Sequence, residues 1–340
     1  MENPVKPEAP IRVHIRNTRW ETPENQAIFT ITPEHFAEAV RSHPDLASSL
    51  EPSFGIGADD FEEDMRSAEV LVGWDFPTEN LAETAPALRL IHIIGAGVEH
   101  LYPMDWVPEA VTVVNNKGAH ANKAGDYGLM SVLMLHNHVP QLIENQKSGF
   151  WRSLYSTPIE GRTLLVIGVG SIGSAIARKA NEQGLRVLGV TRHGAPVDGV
   201  DEMATTAELD TMLPRADFVF VSTPSTPETR NLLDRRRLGL MRRGAGIGNV
   251  GRADVIDYEA LSEMLESGHL GGAILDVFDP EPLPSDSPLW KVKNLLVTPH
   301  VSADDGDSYA QITLDLVFAN LRRYLAGEPL HNVVRTELGY

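Results

Sequence analysis

Six residues, Gly168-Val169-Gly170-Ser171-Ile172-Gly173, follow the apolar run LLVIG and open the segment SIGSAIARKANEQG. Three glycines at this spacing are common, but placed between a strand and a helix they have a specific use. Gly168 permits a tight turn, Gly170 lets the backbone approach a pyrophosphate, and Gly173 lets the helix pack closely on the sheet. The first helical turn, with Ser171 and Ile172, offers free N–H groups and a partial positive charge to the phosphates. These residues predict a dinucleotide site.

The next apolar run, LRVLGVTRHG, ends where such a unit usually places an Asp or Glu for the adenosine ribose. Thr191 occupies that position and Arg192 follows it, with no acidic residue between Arg186 and Val197. A carboxylate there accepts both ribose hydroxyls of NAD, whereas an arginine can pair with a 2′-phosphate through its planar fork. NADP is therefore the expected cofactor, with NAD possible. The alternative is that Arg192 is an exposed strand-end residue and NAD binds without its usual acid.

Further along, GNVGRADVID (248–257), GGAILDVFDPEPL (271–283) and LLVTPHVSA (295–303) appear in that order. Together with GAGVEHL (95–101), VVNNKGAHANKAGDYGLM (113–130) and STPETRNLL (225–233), they make the chain resemble the D-isomer-specific 2-hydroxyacid dehydrogenases over nearly its whole length. Within that family it looks most similar to the NADP-preferring glyoxylate and hydroxypyruvate reductases. The resemblance implies a catalytic Arg252, Glu281 and His300. The chemistry agrees: Arg252 can bind a 2-oxo acid's carboxylate and polarise its carbonyl, and His300 can donate the proton. Glu281, hydrogen-bonded to the imidazole, would orient it and favour its charged form.

The same resemblance places Thr223, Pro224, Val250, Arg252, Asp276 and His300 against the cofactor, with Asp276 meeting the carboxamide. It also gives the N–H groups of Ala96, Gly97 and Val98 to the substrate carboxylate, for which a tight structural turn is the bland alternative. Trp74, Asp75 and Phe76, at a strand end, predict aromatic pocket walls and an unphosphorylated substrate. Three departures from the family pattern stand out: Ala253 after the arginine, Asp304 and Asp305 after the histidine segment, and Gly125-Asp126 in a helix that usually carries Ala-Glu.

The elements that must position these groups are legible as apolar runs alternating with helical patterns. Strands are expected at 11–15, 68–73, 88–95 and 111–116, then at 162–168, 186–190, 217–222, 245–250, 271–278 and 294–300. A helix should begin with Thr32 as cap and Pro33 at its first position. Another should run from about Asn122 to Phe150, buried around Leu129 to Leu135 between domains or subunits. A final amphipathic helix follows the second sheet and should return to the first. The expected fold is α/β, with two Rossmann-like domains and doubly wound parallel sheets. The substrate domain, flavodoxin-like and discontinuous, takes 1–117 and 305–340, and the dinucleotide domain takes 118–304, with the active site in the cleft between them.

The 340 residues favour two domains. A formal charge of -18 disfavours nucleic acid and anionic membranes as partners. No cysteine is present, which excludes disulfides and fits a cytoplasmic protein. The opening MENPVKPEAP lacks the apolar core of a signal peptide, and GLMSVLMLH is too short to span a bilayer. The acidic runs DDFEED and DDGD read as solvated faces, so no metal is expected. The sequence thus predicts an NADPH-dependent 2-oxoacid reductase forming the D-hydroxy acid, as a homodimer acting on a small molecule. The alternatives are an NAD-dependent dehydrogenase working oxidatively, or a dinucleotide-sensing regulator that does not turn over.

Overall fold

The computed structural model describes residues 9–335 and divides the chain into two compact units, 1–120 with 305–340, and 121–304. Most of the opening arm lies outside the described residues. The first unit is built on five parallel strands: β1 (Ile11–Asn17), β2 (Leu50–Ile56), β3 (Val70–Gly73), β4 (Leu90–Ile93) and β5 (Thr112–Asn115). Their order in the sheet is β2-β1-β3-β4-β5, the doubly wound order with its switch point beside β1. The inner strands are short runs such as VLVG and LIHI, buried on both faces because helices cover the sheet. Thr32 caps the helix Pro33–Ser42 by accepting from the His35 N–H, and Pro33 sits in the first turn. The helix Tyr309–Ala326 packs Leu314, Val317, Phe318 and Leu321 against Ile11, Val13, Phe36 and Leu50. The first unit is therefore discontinuous in sequence.

The second unit holds seven parallel strands: β6 (Thr163–Ile167), β7 (Arg186–Thr191), β8 (Glu202–Thr205), β9 (Phe218–Val221), β10 (Gly246–Asn249), β11 (Gly272–Leu275) and β12 (Leu295–Val297). The sheet runs β12-β11-β10-β9-β6-β7-β8, so the order reverses between β6 and β9. Ligands of open parallel sheets bind outside the carboxyl ends of the strands at such a point.

Three local expectations need correction. β2 and β8 were not foreseen: each is an edge strand, and LEPSFGI carries a proline and polar residues that an edge tolerates. The single helix expected over 122–150 is two, Ala121–His136 and Val139–Lys147, because His138 adopts a left-handed φ of 56° and Pro140 follows. Phe76 is no pocket wall: it is buried in the first unit's core, stacked on Phe61 and edge-on to Trp106.

Within the second unit, Ala121–His136 lies against the helix Ser171–Glu182 that follows the glycine-rich turn. Gly125 and Gly128 give the close approach, since a Cβ on Gly128 would stand 2.5 Å from Ile176 Cγ1 and one on Gly125 would stand 3.1 Å from Ala175 Cβ. Asp126, one of the departures from the family pattern, pairs with Lys179 at 2.7 Å across the same contact. Gly128→Val should therefore overpack this helix pair, lowering stability by about 1–3 kcal/mol in urea unfolding of the full chain. An unchanged midpoint would show that Ile176 moves aside freely.

Candidate active site

Gly168 has φ 94°, and a Cβ on it would meet Thr223 Cγ2 at 2.6 Å. A Cβ on Gly173 would stand 2.1 Å from the Gly168 carbonyl oxygen, so the helix and turn touch where only glycine fits. Gly170 differs: it caps the helix Ser171–Glu182 with no side-chain acceptor, and a Cβ there would meet nothing within 4 Å. The first-turn N–H groups of Ser171, Ile172 and Gly173 thus face an open cradle. Thr223 is buried, and its Oγ1 has no hydrogen-bond partner among the described residues. An anionic dinucleotide fits this donor set. Pro224 is exposed beside Thr223, and Val250 is buried at the end of β10. Thr191 Oγ1 accepts from the Gly194 N–H at 3.0 Å, closing the turn at the end of β7, while Arg192 is exposed and acts electrostatically on Glu228.

Arg252, Glu281 and His300 follow β10, β11 and β12, three neighbouring strands of one sheet. Glu281 Oε2 lies 2.7 Å from His300 Nδ1, and its Oε1 accepts from the Phe278 N–H at 2.7 Å. The carboxylate is thus fixed at both oxygens. Nδ1 donates to it, which leaves His300 Nε2 for a reacting group. The Glu281 hydrogen bond raises the His300 pKa above its ordinary value against the opposing effect of burial, with Asp276 adding to the rise and Arg252 opposing it. For Glu281, burial disfavours the charge, but the His300 and Phe278 hydrogen bonds outweigh it and hold the carboxyl below its usual range.

Arg252 and His300 are held by residues the sequence did not single out, Asn249, Tyr258 and Thr298, and by Asp276, which it assigned to the carboxamide instead. Asn249 donates to the Arg252 carbonyl at 2.9 Å and to Tyr258 Oη at 3.0 Å, and it accepts from the Gly251 N–H at 2.9 Å. Tyr258 in turn donates to the Val277 carbonyl. These bonds shape the turn from which Arg252 projects. Asp276 is fully buried and accepts from Thr298 Oγ1, the Val301 N–H and the Ser302 N–H at 2.6, 3.0 and 2.9 Å. Thr298 also meets Tyr127 Oη at 2.6 Å. No hydropathy pattern signals such roles, because the partners are backbone atoms or side chains distant in sequence. Of the two acidic departures, Asp304 has its pKa raised by burial, while Asp305 accepts from the Asp307 and Ser308 N–H groups at the start of the last helix.

In the first unit, the loop 95–98 follows β4. Trp74 lies against Gly95, where a Cβ would stand 2.1 Å from its Cζ3, and it stacks on His100 with centroids 3.8 Å apart. Among the described residues, the N–H groups of Ala96, Gly97 and Val98 have no hydrogen-bond partner. Val98 itself is buried in the core. Burial lowers the pKa of both His92 and His120 to about 4. No helix of the described residues is long and apolar enough to cross a membrane.

The family model for the D-isomer specific 2-hydroxyacid dehydrogenase NAD binding domain matches residues 129–302. The chain belongs to this family. A D-3-phosphoglycerate dehydrogenase from Synechocystis sp. is 30% identical over 259 residues, covering 76% of this chain and 46% of that protein. The chain spans about half the length of the curated relatives it first matches. A D-isomer specific 2-hydroxyacid dehydrogenase from Xanthobacter autotrophicus Py2, solved in complex with NADPH and MES, is 29% identical with a TM-score of 0.79, covering 96% of this chain and 99% of that one. An NADPH-dependent glyoxylate/hydroxypyruvate reductase from Sinorhizobium meliloti, solved with NADP and sulfate, is 27% identical with a TM-score of 0.79, covering 97% and 100%.

The raised His300 pKa has a checkable cause. Replacing Glu281 by Gln should lower it, measured by NMR titration of the imidazole. The sign for stability follows: charged His300 stabilises the fold fully below the ordinary value of 6.5, and that contribution fades as pH rises through the raised value. The stability gap between wild type and Glu281→Gln should narrow accordingly as pH rises through that raised value. Identical His300 titrations in the two proteins would refute the coupling.

Proposed function

We propose that this chain is an NADPH-dependent reductase of small, unphosphorylated 2-oxo acids, giving the D-2-hydroxy acid. The observation that carries this reading is the His300 Nδ1 to Glu281 pair at 2.7 Å, one strand away from the turn that bears Arg252. Reduced nicotinamide, when bound, supplies the hydride. Arg252 directs guanidinium donors at the substrate carboxylate and carbonyl, stabilising the charge that grows on the oxygen. His300 Nε2 delivers the proton to that oxygen, and the Glu281 carboxylate stabilises the imidazolium that must be present beforehand. In the oxidative direction neutral His300 is the base. Ala96 and Gly97 supply backbone N–H donors for the carboxylate. The Trp74 and His100 rings beside Gly95 make an aromatic wall suited to an uncharged substrate side chain.

Thr223, Pro224 and Val250 would line the cofactor's nicotinamide half, and Gly168, Gly170, Ser171, Ile172 and Gly173 its pyrophosphate; Asp276, expected at the carboxamide, is instead fully buried with both oxygens bonded to the segment 298–302. Arg192 takes the 2′-phosphate. The assay that tests the reading is a panel of 2-oxo acids, glyoxylate and hydroxypyruvate included, with NADPH and NADH. NADPH should be preferred, and His300→Ala should cut turnover by about two to four orders of magnitude. Wild-type turnover in that variant would remove the proton donor from the scheme.

Cofactor preference has its own test. Arg192→Ala should lose about ten- to a hundredfold in NADPH affinity and leave NADH unaffected. Thr191→Asp with Arg192→Ala should reverse the preference, because a carboxylate binds the ribose hydroxyls and repels the phosphate. Equal weakening of both cofactors by Arg192→Ala would make the arginine a surface residue.

The assembly we infer is a cytoplasmic homodimer. Met130, Leu142, Phe150, Trp151 and Tyr155 of the second unit are exposed, Trp151 at 96%, an apolar area that a second copy would cover. Light scattering at micromolar concentration should return the dimer mass, and a monomer would overturn the inference.

A further inference from the structure

The loop 95–98 has a feature that the proposed reaction leaves unexplained: three successive carbonyls are each held by a different donor. Tyr309 Oη donates to the Ile94 carbonyl at 2.8 Å, the Asn116 N–H to the Gly95 carbonyl at 2.9 Å, and Asn115 Nδ2 to the Ala96 carbonyl at 2.7 Å. The peptide bonds of this stretch are trans, and in a planar trans peptide the N–H points opposite to the C=O. Anchoring each carbonyl therefore aims the N–H of the same peptide, that of Gly95, Ala96 or Gly97, away from its anchor. The loop's donors are set by the residues behind them.

Those residues are themselves fixed. Asn115 Oδ1 accepts from the Lys117 N–H at 3.2 Å, so its amide orientation is settled and Nδ2 must face Ala96. Tyr309 is buried, with its ring stacked on His120 at 4.1 Å and edge-on to Phe29 at 4.7 Å. His120 Nε2 lies 3.2 Å from Asn116 Nδ2, which also donates to Thr313 Oγ1 at 2.7 Å. Neutral His120 can accept that amide hydrogen, and burial keeps it neutral. Because Tyr309 and Thr313 lie on the helix that follows the second unit in sequence, that returning segment reaches the loop directly.

We propose that Asn115 and Tyr309 are positioning residues for substrate carboxylate binding: by holding the carbonyls of residues 96 and 94 they orient the N–H groups of Gly97 and Gly95 and fix the loop that presents the Ala96 N–H between them. This rests on the reading of loop 95–98 as a carboxylate site. Preorganised donors bind an anion without first rotating peptides, so loss of an anchor raises the cost of binding and leaves the cofactor site alone.

The test uses the NADPH-saturated full chain and oxamate, a carboxylate analogue of a 2-oxo acid. In wild type, oxamate should shift the amide resonances of Gly95, Ala96 and Gly97. Tyr309→Phe, which keeps the ring contacts and removes the hydroxyl that donates to the Ile94 carbonyl, should weaken oxamate about fivefold. Asn115→Asp, which places an acceptor against the Ala96 carbonyl, should weaken it about tenfold or more. KM for the 2-oxo acid should rise in step, with NADPH affinity unchanged for Tyr309→Phe. If the wild-type amides shift but Tyr309→Phe binds oxamate as tightly as wild type, the anchoring role is refuted while the carboxylate reading stands. If the wild-type amides do not shift, the carboxylate reading fails and this inference falls with it. Should Asn115→Asp not fold, Tyr309→Phe decides alone.

Discussion

The carboxylate of Asp276 is buried where a charge is costly unless fully bonded, and it is bonded at both oxygens. Its donors all come from the segment 298–302, and the Asp276 carbonyl accepts from the His300 N–H at 2.9 Å. That segment must turn sharply, since His300 sits at φ 53°, a left-handed conformation that a histidine holds only when its surroundings fix it. Asp276 supplies that fixation. The end of β11 thereby sets the imidazole that follows β12, and Glu281, six residues from β11's last strand residue, meets it from the same side of the chain. Arg252 follows the next strand in the sheet, held through Asn249 and Tyr258. The arrangement is a set of hydrogen bonds between adjacent strand ends, so the regular spacing of a parallel sheet sets the spacing of Arg252, Glu281 and His300.

That account also explains what the sequence could and could not reveal. Inner strands such as FVFV and GAIL are buried on both faces, so each reads as an unbroken apolar run. Edge strands carry no such run. LEPSFGI pairs on one side only, and what makes it a strand is the ladder to β1, which leaves no trace in hydropathy. The break at Asn137 and His138 was masked for a related reason: apolar spacing continues through it, while the interruption lies in one residue's φ. At the site, Arg252, Glu281 and His300 could be found because their side chains stand in recognisable motifs. Asn249 and Asn115 bond to backbone, and Thr298 to Asp276 and Tyr127, side chains distant in sequence; no spacing rule marks such a residue. Phe76 shows the converse error, in which a residue type was assigned to a pocket that its neighbours had already filled.

The acidity of the chain bears on how anions could be handled at all. A formal charge of -18 spread over the surface opposes the approach of any anion, yet exposed charges separated by more than about 8 Å are largely screened at physiological salt. What survives screening is local. Near the proposed anion sites the local groups are donors: uncapped N–H groups at Ser171, the guanidiniums of Arg192 and Arg252, and the N–H groups of Ala96 and Gly97. Backbone donors carry no counter-ion and need no side-chain ordering, so their attraction does not weaken with salt as that of a surface cation does. Selection among anions then falls to geometry, because the long-range field repels all of them alike. On the proposed function, the peptide orientation in loop 95–98 and the strand-end arginine at 192 therefore matter more to recognition than the overall charge.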